Sequence, residues 1–225
     1  MKFSALLPVV LLAALAACSG GVEVPKGEEV IGKSLMTALK QSRQPAPPQL
    51  SRAQLAQVGL PVMEVTPDRT GLTGYVTPAT RQSDSLPGTV VTWQSSDKAT
   101  FTFRNGVLIA SRGLGFDLLS ASAPIGAQGR MGPAHGGERH YVIRADDYSE
   151  IRLTLQCTLT AQPDETVEIL GENHATRHLE ERCTSPEGGR IVNDYWLGKA
   201  DGALWQSRQW GGPRLGYVRF RQIIR

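Results

Sequence analysis

From residue 60 to the end of the chain, apolar and polar residues alternate with a period of two, the repeat of strands with one face turned to a core. This pattern predicts strands at 61–65, 70–77, 89–93, 99–103, 107–111, 139–145, 151–161, 166–170, 176–183, 190–197, 203–210 and 215–224. The sharpest local unit is the pair 99–103 and 107–111, because Asn105-Gly106 between them supplies the positive φ angles of a type I′ hairpin turn. Between residues 113 and 137, seven Gly and two Pro predict a long surface loop. The other gaps are short, so successive strands pair in an up-and-down meander, with no internal repeat and no βαβ alternation.

Helical spacing is confined to the region before residue 60. Ile31, Leu35, Met36 and Leu39 form one stripe within 28–42, with Glu28 and Glu29 at the end where a helix favours acids. Pro45, Pro47 and Pro48 stop that helix. Ser51 with Gln54 three residues on reads as a capping box, and predicts a second, short helix over 51–58 ending at Gly59. The expected fold is mainly β: a large curved antiparallel meander sheet or half-open barrel, with one or two N-terminal helices packed against it. The economical place for the 28–42 helix is the concave face.

The first residues read differently. Lys2 is followed by a mostly apolar stretch from Ala5 to Ala17, the layout of a secretory signal peptide and shorter than the roughly 20 residues of a spanning helix. Leu15-Ala16-Ala17-Cys18 resembles the bacterial lipobox, which implies cleavage before Cys18 and acylation of its thiol and new amino group. Several acyl chains hold a protein durably at a bilayer where one does not. Ser19 after the cysteine, in place of Asp, implies sorting to the outer membrane. The expected organisation is a cleaved segment at 1–17, a lipidated tether at 18–27 and one domain at 28–225.

Size and composition agree with one domain. The chain has 225 residues and three Cys, none in a CxxC pair, so neither a disulfide-built scaffold nor a cysteine zinc site is indicated. With Cys18 lipidated, two remain. Cys157 falls on the apolar side of the alternation at 151–159, and Cys183 follows 26 residues later, far enough to return through one intervening strand. Export to an oxidising compartment favours a Cys157–Cys183 disulfide; two buried thiols and a catalytic cysteine are the alternatives. The formal charge of +3 is too small for a nucleic-acid binder.

No catalytic constellation stands out. The chain lacks GxSxG, HExxH, P-loop and strand-linked GxGxxG patterns. His174 and His178, four apart on a strand, lie about 13 Å apart, too far for one metal. His135 and His140 flank Gly136-Gly137 in the loop. Asp146-Asp147 and Glu180-Glu181 are adjacent carboxylates that diverge on a strand. No catalytic residue, cofactor or metal is expected. Charge is uneven: residues 161–189 carry seven acids against two Arg, while 190–225 carry seven bases against two Asp and three of the four Trp. Trp205, Arg208, Trp210, Tyr217, Arg219 and Arg221 therefore form a candidate contact for a polysaccharide or partner, since Arg pairs carboxylates bidentately and aromatic rings stack on sugars. The alternative is that these Arg residues neutralise acids on adjacent strands and the Trp rings fill the core.

One stretch carries a family likeness. Val91-Thr92-Trp93-Gln94-Ser95-Ser96-Asp97, then Asn105-Gly106-Val107, then Ser111-Arg112-Gly113-Leu114-Gly115-Phe116-Asp117-Leu118-Leu119 resembles the YjbF/GfcB family of group 4 capsule lipoproteins. The resemblance implies a mainly β, non-enzymatic lipoprotein, anchored in the outer membrane and facing the periplasm. Its implied partners are other exopolysaccharide-export proteins, including a large outer-membrane β-barrel protein, and it implies no catalytic pattern to carry over. An acidic polysaccharide is a further candidate ligand. Asp117 either caps a turn or contacts a partner. A half-barrel carrier of lipid or another apolar ligand, gated by Ile31, Leu35, Met36 and Leu39, is the competing function.

Overall fold

The computed structural model describes residues 50–225 apart from positions 116, 127, 128 and 146. The expected signal segment, Cys18, the tether and the helix at 28–42 lie outside the described residues. The chain enters through α1 (Arg52–Ala56). Its capping box forms as expected: Ser51 Oγ accepts from the Gln54 amide, and Gln54 Oε1 accepts from the Ser51 amide at 2.9 Å.

The remaining elements are strands: β1 (Val62–Pro67), β2 (Gly74–Gln82), β3 (Val90–Gln94), β4 (Thr100–Arg104), β5 (Val107–Arg112), β6 (Leu118–Ser122), β7 (Gly137–Arg144), β8 (Glu150–Ala161), β9 (Glu165–Ile169), β10 (Glu172–Thr184), β11 (Arg190–Gly198), β12 (Leu204–Trp210) and β13 (Tyr217–Ile224). All pair antiparallel in one sheet of order β5-β4-β3-β2-β1-β13-β12-β11-β10-β8-β7-β6, with β9 on β10 beyond the reach of β8. Two meanders thus join at the β1–β13 ladder. Residues 113–117 connect the two ends of the path, β5 and β6.

Those ends meet, so the sheet is a nearly closed barrel. Side chains span the seam in place of a backbone ladder. Arg112 donates to the carbonyls of Leu118 and Leu119 at 2.9 Å each, and the Leu118 amide donates to Ser111 Oγ at 3.0 Å. Asp117 caps the connecting turn by accepting from the amides of Gly113 and Leu114. The glycine-rich segment is more ordered than the surface loop its composition predicts: it contains β6, whose Leu118 is fully buried, and a bridge between Ile125 and Pro133. The burial of Leu118 and the partly buried Ala121 against the main core overrides the turn-forming composition.

Cys157 and Cys183 stand directly opposite each other on β8 and β10 and form a disulfide, with Cα atoms 4.0 Å apart. Closing a loop of 26 residues stabilises the fold by about 3–4 kcal/mol on the chain-entropy account.

The inward face carries the main core, from Met63, Val65 and Val76 through Trp93, Phe101 and Phe103 to Phe220. A second cluster lies outside the barrel wall, where α1 and β9 lay Leu55, Val167 and Ile169 over Val62 and Ile223. Arg52 fastens this cover by donating to the carbonyls of Ile223 and Ile169 at 2.5 and 2.6 Å and pairing with Glu172 at 3.1 Å. Strict alternation would put Ile224 inside with Val218, Phe220 and Gln222. A register shift opposite Val62 and Met63 gives β13 one extra residue there, so Ile223 and Ile224 both pack with the outer cluster.

Candidate functional site

Three regions carry chemistry. The first is inside the barrel. Arg139 on β7 donates to Glu181 Oε2 on β10 at 2.6 Å, and Asn193 Nδ2 on β11 donates to the same oxygen at 2.8 Å. The Tyr195 hydroxyl borders the pair at 3.4 Å from both partners, and the Tyr141 hydroxyl accepts from Asn193 Nδ2 at 3.4 Å. The side chains of Arg139 and Glu181 are 1% and 0% exposed, and Arg139 Nε and Glu181 Oε1 have no hydrogen-bond partner among the described residues. Burial disfavours the Arg139 cation, but Tyr141, Tyr195 and Glu181 raise its pKa above the ordinary value and keep it charged. Burial, with the Glu181 charge adding to it, raises the pKa of Tyr195, which stays a protonated phenol. Gln209 extends the network by accepting from the Leu108 amide and donating to the Gly106 carbonyl, both at 2.8 Å. A Glu181 oxygen also lies within 4.8 Å of both cysteine sulfurs. Joined to each other, those sulfurs offer no thiolate to a metal.

Of the Arg139 network only Glu181 was named from the sequence, as one of two adjacent carboxylates with no assigned partner, beside Cys157 and Cys183. A signal existed: Arg139, Tyr141 and Ile143 occupy one parity of β7, and Glu181 shares its parity with Cys183. A charged residue on the apolar parity of a strand marks an interior partner to be sought.

The second region is on β12 and β13, which carry the sequence-based contact residues, but Trp210 and Tyr217 pack against the main core and Trp205 against the outer cluster, as the alternative reading of the rings expects. Arg208 pairs with Asp68 at 2.7 Å and stands 3.9 Å over the Tyr217 ring. Arg221 pairs with the buried Glu64 at 2.5 Å. Trp205 stacks on His174 at 3.6 Å, with Arg225 5.3 Å from its ring, and Trp210 packs edge-on against Tyr141. Tyr217 accepts from the Val192 amide at 3.0 Å. Arg219 is exposed and has no hydrogen bond or ion pair among the described residues. His174 and His178 stack on different rings, Trp205 and Trp196, and His178 lies between Glu165 and Asp194 at 3.0 and 2.9 Å. Burial lowers the pKa of His174 and keeps it a neutral ring against Trp205.

The third region is an opening at one end of the barrel, a cavity of about 360 Å³ continued inward by a pocket of about 60 Å³. Thr89, Val91 and Trp93 line it in a column beside β3, as period two requires. The Asn105-Gly106 turn forms its lip, with φ of 44° and 80°. Asn105 accepts from the Thr89 amide at 2.8 Å and donates to the Arg130 carbonyl at 2.9 Å, so one buried side chain ties hairpin and glycine-rich segment together. A Cβ at Gly106 would come 2.5 Å from Leu204 Cδ2, so a side chain there displaces Leu204 as well as straining a positive φ. Arg81 and Arg225 stand among the lining residues as its cations.

A barrel with a stapled wall, a buried ion pair and an opening at one end defines a small all-β module. Residues 32–223 match the family described as "Group 4 capsule polysaccharide lipoprotein gfcB, YjbF", and the chain belongs to that family. Among solved structures it is similar to the hypothetical lipoprotein YmcC from Escherichia coli (K12), with 20% identity over 88% of this chain and 95% of that one and a TM-score of 0.67. No curated protein matches it. The stretch on which the likeness rests has a structural meaning: Val91, Trp93 and Asn105-Gly106 shape the opening, while Ser111, Arg112, Asp117 and Leu118 build the seam.

Proposed function

We propose that this chain is an accessory, non-catalytic lipoprotein of exopolysaccharide or capsule export, cleaved before Cys18, anchored in the outer membrane through that residue and facing the periplasm. The family match over residues 32–223 carries this reading. Two observations support it. The buried carboxylates Glu181 and Glu64 are committed to Arg139 and Arg221, an arrangement suited to holding strands rather than moving protons. Among the described residues, no helix is long and apolar enough to cross a membrane, and the opening residues of the chain resemble a lipobox.

Its partners are an outer-membrane β-barrel protein and other export proteins, with an acidic polysaccharide as the polymer in transit. The face bearing Trp205, Arg208, Trp210, Tyr217, Arg219 and Arg221 is the proposed contact, and Arg219 is its free cation. A photoreactive residue at position 219, activated in intact cells, should capture an export protein or the polymer. Absence of any adduct, together with no affinity of the purified chain for the host polysaccharide, would overturn the reading.

A further inference from the structure

We infer that the opening at the end of the barrel binds an amphiphile with one acyl chain and an anionic head. The cavity and its inner pocket grade from charged to apolar. Arg81 and Arg225 are at the wider part, and no carboxylate is among the lining residues. Arg225 is already engaged by Asp201, whereas Arg81 is exposed and has no hydrogen bond or ion pair among the described residues. The inner pocket is walled mainly by Met63, Trp93, Phe103, Met131, Leu204 and Phe220, with Ser207 and Gln222 as its polar members.

The polar inventory decides between a sugar and a chain. A saccharide presents a hydroxyl on nearly every carbon, and each buried one needs a partner. Few polar groups remain for a ligand: Asn105 bonds the Thr89 amide and the Arg130 carbonyl, Gln222 Nε2 is used on the carbonyls of Val62 and Ile224, and Gln222 Oε1 with the hydroxyls of Thr89 and Ser207 is too small a set to satisfy a sugar ring. An acyl chain asks for no partner along its length. An apolar cavity of about 150 Å³ takes a benzene ring, so the observed volume suits a chain of roughly ten to fourteen carbons. Arg81 is then positioned to pair a carboxylate or phosphate head bidentately. The Thr89–Val91–Trp93 column gives the chain a straight wall to lie against.

None of the six residues of the proposed export contact lines this opening, so its failure leaves the export reading standing. The test uses the full chain, solubilised from membranes, and a dodecanoate probe carrying a terminal diazirine. Photolabelling should saturate, map to the peptides holding Trp93, Met131 and Leu204, and be competed by excess dodecanoate. Arg81→Gln, at an exposed position, should cut labelling at subsaturating probe about tenfold, the loss of one charged hydrogen-bonded partner. Leu204→Trp should block the pocket, and a thermal melt establishes that each variant is folded. Label spread over the surface, equal labelling by the dodecanol analogue, indifference to Arg81→Gln, or displacement of the probe by an acidic disaccharide would each overturn the assignment.

Discussion

The two sides of the barrel interior are built on different physics. Along β1–β4 and β13 the inward residues are mainly apolar, with Gln222 at the opening, and Phe220 sits edge-on to Phe101 and Phe103 at 5.3 and 4.9 Å. Along β7 and β10–β12 the same parity carries Arg139, Glu181, Asn193, Tyr195 and Gln209, all fully buried. The apolar side gains from area removed from water, which tolerates small changes of shape and leaves space near the opening. The polar side depends on the partners it has, because a buried group has left bulk water, and Arg139 Nε and Glu181 Oε1 are already without one among the described residues. The barrel interior is thus not uniform: one side can yield to a ligand while the other fixes the register of the strands.

The largest break in this contrast is on the polar side. Arg139→Met leaves Glu181 buried without its cation and should cost about 4–5 kcal/mol in denaturant unfolding, whereas adding Glu181→Leu should recover most of that loss. Failure of the second change to rescue the first would show that the pair is coupled to more than its own charges. On the apolar side, Phe220→Ala should cost about 3–4 kcal/mol, with no single second change restoring it, since the cavity has no charge to neutralise. Asn105→Ala, at the junction of the two sides, should cost about 2 kcal/mol and speed hydrogen exchange at the Thr89 amide, which loses its acceptor.

The smallest effect sharpens the comparison from the surface. Asp84, whose side chain is 45% exposed, pairs with Arg104 at 2.5 Å at the surface. The hydrogen bond from Arg104 lowers its pKa from 3.8 to about 2. The folded value lies below the unfolded one, so the stabilisation is complete at neutral pH and is lost as pH falls through the folded value. A carboxyl titration by NMR should place Asp84 near 2, and Arg104→Gln should return it toward its ordinary value with little change in unfolding. An equal stability loss from Arg104→Gln and Arg139→Met would erase the distinction between solvent-screened and buried pairs.

Strand positions were legible in the sequence because period two is local: 151–161 anticipates β8 and 190–197 anticipates β11 to within a residue. The Asn105-Gly106 turn and the Ser51–Gln54 capping box were legible for the same reason, each being a short-range rule of backbone geometry. Strand β6 was not, because the turn-forming composition around it conceals that Leu118 packs into a core built by distant strands. The buried pair was missed because adjacent carboxylates such as Glu180 and Glu181 differ only in the face they take. Which face is inside is a property of the whole sheet. The opening was half legible: Trp93 and Asn105-Gly106 stood out, while Arg81 and Leu204 join them only in space.

By itself, the sequence determined the alternation, the turns, the short capped helix and the division of three cysteines into one near the amino terminus and two within the strands. The closure of β5 on β6, the pairing of Arg139 with Glu181 across 42 residues and the opening beside Trp93 were decided by the tertiary structure. The reason is range. Propensity and period act over a few residues, whereas closure depends on how much twist and bulge accumulate along the sheet, and only the closed sheet sets which charges lose water together.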